Sequence, residues 1–131
     1  MKRFSIFLSC IALLATPSFA TSEFNKQWKA KYLSGDDVGD DFKKAARKQS
    51  CYICHVVKQD KKKVQNEYGK SVKEFLKAKD FPRDYVKENP EEVKEKIFAG
   101  LEKAGKKKSK DGKVFEDKIK AGLIPATDSG K

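Results

Sequence analysis

Two thiols and an imidazole stand side by side in Cys51-Tyr52-Ile53-Cys54-His55. Cysteines at this spacing can each add to one vinyl group of a porphyrin, and the adjacent imidazole then sits under the iron as proximal ligand. The C-x-x-C-H therefore reads as the attachment site of one covalently held haem c, with thioethers from Cys51 and Cys54 and iron ligation by His55. Other chemistries share parts of the pattern. A zinc site needs about four N or S ligands, and residues 51–55 offer fewer, with no second cluster elsewhere. A thioredoxin-like redox pair accompanies a βαβ pattern, which this chain lacks. A disulfide between Cys51 and Cys54 suits an oxidising compartment but leaves His55 without a task.

The start of the chain bears on the compartment. Met1-Lys2-Arg3 is basic, Phe4 to Ala15 is mostly apolar, and Pro17-Ser18-Phe19-Ala20 places small residues where a signal peptidase reads them. Residues 1–20 thus read as a secretory signal peptide, cleaved after Ala20. The apolar run of about a dozen residues is well short of the roughly twenty that span a bilayer, so no stable membrane anchor is expected. Cys10 makes a weak lipoprotein site and is expected to leave with the leader. The expected location is the periplasm or another extracytoplasmic compartment.

Residues 21–131 then form one domain, long enough for a modest core. Charged residues make up 37% of the chain, and a bound haem would add apolar surface to that core. Loss of Lys2 and Arg3 lowers the formal net charge from +11 to +9. Nucleic acid is not the expected partner. The chain carries export features, and beyond the leader Arg occurs only at 47 and 83, whereas bidentate phosphate recognition favours Arg. A lysine-rich surface suits solubility, or steering toward a redox partner with an acidic docking face.

The elements that must position the motif read as helices. Phe24, Trp28 and Tyr32 or Leu33 draw one stripe over Glu23 to Leu33. Asp40 or Asp41 can cap a second helix carrying Phe42, Ala45 and Ala46 into the motif. Val56-Val57 are expected against the haem edge, before a charged loop over 58–63. Val64, Tyr68, Val72, Phe75 and Leu76 mark a third helix. Gly69 within it suggests close backbone approach to a helix or to the haem, or a plain imperfection. A helical turn is expected around Tyr85-Val86. Asn89, Pro90 and Glu92 form a capping box before Val93, Ile97, Leu101 and Ala104, with Phe98 widening the stripe and Gly105 ending it. Phe115 and Ile119 mark a last helix, and residues 126–131 read as a frayed tail. The expected fold is all-α: about four to five helices wrapped round one haem.

With Cys51 at about the thirtieth residue after the leader, the order resembles class I cytochromes c, in which an early helix leads into C-x-x-C-H and a late helix packs across it. It is unlike cytochromes c′, which carry the motif near the C-terminus of a four-helix bundle. The chain is most similar to the small, Lys-rich monohaem cytochromes of planctomycetes, including anaerobic ammonium oxidisers. There the motif is followed by a charged stretch and an Asn-x-Tyr-Gly pattern, here Asn66-Glu67-Tyr68-Gly69, and the likeness covers roughly residues 40 to 105.

The resemblance implies a sixth iron ligand, usually Met or a second His, and in some relatives a Cys thiolate. After loss of the leader this chain has no Met, no His but His55 and no Cys outside the motif. The iron is then five-coordinate, or takes water or an unusual ligand from the chain or a partner. Candidates are the α-amine of Thr21, a Lys, and Tyr32, Tyr52, Tyr68 or Tyr85. An α-amine loses its proton near pH 7.7–8.0, roughly, against about 10.4 for Lys, which favours Thr21.

The first expectation is a non-enzymatic one-electron carrier, which the resemblance implies. The alternative is an open or weakly closed haem that binds NO or CO, as a sensor or as a subunit of a cytochrome complex. A homodimer or a heterodimer with a second cytochrome is compatible with both. A peroxidase-like activity ranks third, since only a carboxylate could serve as the acid–base group above the iron.

Overall fold

The computed structural model describes residues 18–61 and 63–130. The expected leader lies outside the described residues up to position 17, and with it Met1 and Cys10. The expected cleavage point after Ala20 falls in the first turn of a helix. Six α-helices are present among the described residues: α1 (Ser18–Tyr32), α2 (Asp40–Gln49), α3 (Glu67–Phe75), α4 (Arg83–Glu88), α5 (Pro90–Gly105) and α6 (Phe115–Lys120). Two 3-10 turns, Ser50–Ile53 and Ala78–Asp80, join them, and no strand forms among the described residues. The fold is all-α, as expected. It has one helix more than the four or five foreseen, because the turn at Tyr85-Val86 closes into α4.

Helix α5 is the central element. Its periodicity of three and four buries Val93, Ile97, Leu101 and Ala104 along one stripe. Burying each of the first three stabilises the fold by roughly 1.5–3 kcal/mol. Against that stripe lie α3 and α1. Helix α3 contributes Tyr68 and Val72, followed by Leu76 just past its end. Gly100 of α5 makes room for Leu76, since a Cβ there would overlap the leucine's methyl group. Phe75 was expected on the same stripe. It is 39% exposed instead, because Leu76 takes the inward position, and the Lys107 ammonium lies 5.5 Å from its ring.

Aromatic polar groups connect α1, α3, α5 and α6. The Trp28 indole N–H donates to the Tyr68 hydroxyl at 3.0 Å. Tyr32 lies beside Tyr68, and its hydroxyl donates to the Leu101 carbonyl at 3.3 Å. Tyr68 also meets Phe115 of α6 edge-on, with centroids 5.2 Å apart. A buried tyrosine or tryptophan needs such partners, because an unmet donor costs about 1–3 kcal/mol.

Two expectations at helix ends need correction. Gly39, not Asp40 or Asp41, is the N-cap of α2, and no side chain caps it. The two aspartates fill the first turn, where the helix dipole favours negative charge. Asn89 precedes Pro90 at the start of α5, but the capping box does not form. Asn89 also terminates α4, and its side chain donates to the Tyr85 carbonyl, while Glu92 pairs with Lys96 at 2.8 Å.

Of the tail expected to fray, residues 126–130 are docked on the body, and Lys131 lies outside the described residues. Glu67, at the start of α3, receives the Thr127 N–H at 2.7 Å, the Thr127 hydroxyl at 2.8 Å, the Ser109 hydroxyl at 2.7 Å and the Lys110 N–H at 2.7 Å. The Asp128 carboxylate accepts the Glu67 N–H at 2.8 Å, and Val57 N–H donates to Ser129 carbonyl at 2.9 Å. A tail of small polar residues looked like a free end in sequence. It is held because one carboxylate from another element gathers its donors.

Partial burial alone would raise the Glu67 carboxyl, but these four donors outweigh it and bring it from 4.5 to about 2. The unfolded chain therefore binds more protons than the folded one between these values. The clasp contributes fully above about pH 4.5 and is lost as the pH falls toward 2. In Glu67→Gln, the amides of Thr127 and Lys110 are expected to exchange about tenfold faster at neutral pH, the loss of one charge-assisted bond. Hydrogen-exchange NMR checks this, and a wild-type tail that exchanges freely at pH 7 would refute the clasp.

Candidate functional site

Helix α2 delivers the chain to the motif and stops abruptly. Ser50 adopts φ 46°, a left-handed conformation unusual for a residue with a Cβ, so the backbone turns sharply into the 3-10 turn that carries Cys51. The Ser50 hydroxyl accepts from the Asn25 carboxamide of α1 at 3.0 Å, which pins this corner. The turn is closed by Cys54 N–H and His55 N–H, which donate to the Cys51 carbonyl at 3.2 and 3.1 Å. Ile53 is buried and anchors the loop, while Cys51 is exposed and Cys54 half-buried.

Both thiols are free, so the disulfide reading has no bond in this structure. Burial, with a smaller contribution from neighbouring Cys51, pushes the Cys54 thiol up to about 12. That is opposite to the depressed thiol of a redox-active pair. Among the described residues, no group of three or more His, Cys, Asp or Glu side chains is gathered as a metal site. Cys51, Cys54 and His55 thus do not converge on one point as zinc ligands do.

His55 sits in a short antiparallel bridge with Gln65. Its ring Nδ1 lies 3.2 Å from the Val64 carbonyl oxygen. A carbonyl can only accept, so Nδ1 carries the proton and the lone pair of Nε2 is left for a ligand. Val64 was expected on the third helix. It lies instead in an extended segment before that helix, because Asn66 captures the Gly69 N–H at 2.8 Å and starts α3 at Glu67.

The same Asn66 fastens the motif. Its N–H donates to the Cys54 carbonyl at 3.0 Å, and its carboxamide nitrogen donates to Ile53 carbonyl at 2.9 Å and Tyr52 carbonyl at 3.3 Å. Gly69 completes the contact. A Cβ there would overlap the Cys54 carbonyl oxygen, so the close approach expected at this glycine is to the motif's own backbone. Asn66 was quoted in sequence only as part of a pattern. Its signal was local: an Asn directly ahead of an acidic residue and a helical run.

The residues considered as a sixth ligand are scattered. Tyr68 and Tyr32 belong to the buried chain of hydroxyls under α5. Burial and, for Tyr32, Glu116 push that phenol up to about 12; burial and Tyr32 push Tyr68 well above its usual range. Tyr52 is half-buried, with the Lys61 ammonium 4.7 Å from its ring centroid. The Tyr85 hydroxyl accepts from Lys96 at 2.7 Å. Thr21 lies in the first two turns of α1, and its α-amine exists only after processing at Ala20. Buried Lys118 is held by Asp111 at 2.9 Å. A shallow open cleft lined by Lys63, Gln65, Lys70, Lys73 and Glu74 borders the His55 bridge and gives this side a basic surface.

Compared with protein-family models, with curated proteins and with solved structures, the chain has no match.

Replacing Gly69 by Ala tests the packing of α3 on the motif. Alanine gains about 1 kcal/mol of helix propensity, but overlap with a backbone oxygen costs more. A net loss of about 1–3 kcal/mol is expected from the urea midpoint. An unchanged midpoint would mean that Gly69 does not touch Cys54.

Proposed function

We propose that the protein is an exported monohaem c-type cytochrome that carries one electron at a time. The observation that carries the haem part of this reading is the joint state of the three motif side chains. Both thiols are unpaired, and the His55 ring is turned so that Nδ1–H meets the Val64 carbonyl and Nε2 is free. This donor set fits a haem c. Cys51 and Cys54 would hold it covalently, and His55 would be the proximal ligand. When bound, the group supplies an iron that accepts and releases one electron.

The chain's own part is to hold and insulate. Asn66 fixes the loop, Ile53 anchors its apolar side, and the Val64 carbonyl orients the imidazole. The carbonyl also makes the ring a stronger electron donor, as an outer-shell acceptor does for ligating histidines. Lysines 63, 70 and 73 beside the His55 bridge offer a docking face to an acidic redox partner. No helix among the described residues is long and apolar enough to cross a membrane, which is compatible with release after leader cleavage.

A second reading has its own support. Tyr32, Tyr68, Tyr85 and Lys118 are engaged with protein partners, and the chain past the leader has no Met and no second His. That scarcity of ligands favours a haem with an open sixth position that binds NO or CO.

Optical spectra of the mature protein, oxidised, reduced and with CO, separate the two. Sharp reduced bands indifferent to CO are expected for the carrier, whereas broad high-spin bands that sharpen with CO would give the gas-binding reading. The double variant Cys51→Ala/Cys54→Ala is expected to lose all covalent haem by intact mass. His55→Ala should keep the thioethers while altering the ligand-field bands. Covalent haem in the double variant would overturn the assignment.

A further inference from the structure

Asn66 is the most deeply buried polar side chain among the described residues, with no solvent exposure. It performs two separable tasks. Its Oδ1 caps α3 by accepting from Gly69 N–H, which a serine hydroxyl does equally well. Its carboxamide nitrogen, with two protons, reaches two successive carbonyls of the motif loop, Tyr52 and Ile53. Serine, threonine and aspartate cap helices, but none can also donate twice. The loop therefore calls for a carboxamide where the helix alone would accept several residue types.

The second task bears on His55. The imidazole belongs to the 52–55 loop, and its acceptor, Val64, belongs to the segment 64–66 that ends in Asn66. Loop and segment are joined by the His55–Gln65 bridge, by Asn66 N–H to Cys54 and by the Asn66 carboxamide. The two side-chain bonds are the only ones of these that a substitution can remove without altering the backbone. They hold the loop at the distance at which the Val64 carbonyl meets Nδ1.

We propose that Asn66 is the positioning residue for the iron ligand: its carboxamide locks the C-x-x-C-H loop onto residues 64–66 and so maintains the His55 to Val64 hydrogen bond. This rests on the haem reading above. Loosening the lock weakens the bond at Nδ1 and makes the imidazole a poorer donor. A poorer donor favours the ferrous over the ferric iron, so the reduction potential rises.

The test is Asn66→Ser in the haem-loaded protein, which keeps a cap and removes the double donation. Helix content by circular dichroism should stay at the wild-type level. The potential should shift upward, the ring-proton resonances of His55 should move, and covalent haem loading by mass should fall severalfold. A variant with wild-type potential and wild-type ring resonances would overturn the proposal. In the wild-type protein, the Asn66 carboxamide protons and the His55 Nδ1 proton are expected to exchange slowly together. Rapid exchange of either overturns the proposal even where the variant does not accumulate. Failure of the underlying reading looks different, because the wild-type protein would then carry no covalent haem at all.

Discussion

Tyr52, Ile53 and Cys54 lie where a short 3-10 turn runs out, and Ile53 there is buried. Buried carbonyls without partners are costly, so this loop can exist only where donors are brought to it. Asn66 brings them all, with its backbone N–H on Cys54 and its side chain on Ile53 and Tyr52. Because the same residue begins α3, satisfying the loop also fixes where that helix starts and how it is aimed. Gly69, one turn on, lets the helix backbone rest on the Cys54 carbonyl. From there the path is continuous. Tyr68 reaches Trp28, Tyr32 and Phe115, and Val72 and Leu76 meet α5.

The motif is thus bounded on several sides by residues distant in sequence. Asn25 holds its entrance at Ser50, Asn66 its floor, and Ser129 its exit at Val57. Glu67 draws the tail in behind the floor. In a chain this rich in charge, many ion pairs among the described residues are exposed lysine–carboxylate contacts of the i, i+3 or i, i+4 kind, which contribute little. The pair between buried Lys118 and Asp111 differs, since Lys118 is only 6% exposed and would be costly to strand. Several long-range hydrogen bonds, with Asn25, Asn66 and Ser129, instead converge on the region around residues 50–57.

How much of this was legible in the sequence depends on the range of the interaction. Trp28, Val93, Ile97, Leu101 and Phe115 showed their burial through helical spacing, because one helix face has one environment. The motif was legible because its chemistry is local. The start of α3 was misplaced at Val64, since an apolar residue in step with the helix gives no sign that an intervening Asn has captured the first free amide. Phe75 and Leu76 are adjacent apolar residues, and which turns inward is decided by Gly100 on another helix. The docked tail was hidden for the same reason. Nothing in Thr127-Asp128-Ser129 announces a carboxylate some sixty positions away.

The two sides of the proposed iron are specified unequally, and that asymmetry is what separates the functional readings. On the side of His55, ring orientation, tautomer and loop position are fixed by neutral hydrogen bonds among groups with little freedom to move. A ligand held this way would serve an electron carrier and equally a haem that binds a diatomic, because the Val64 carbonyl and Asn66 leave the imidazole little freedom to move. The proximal architecture is therefore neutral between the readings. The choice lies with the opposite side, where residues 21–131 offer no Met and no second His, and Tyr32, Tyr68 and Tyr85 are engaged with other groups of the chain. A carrier built on this chain would close the iron with a nitrogen freed by processing, with a lysine, with Tyr52 or with a partner's side chain. The α-amine and the partner's side chain would couple electron transfer to export or assembly more tightly than a built-in methionine would.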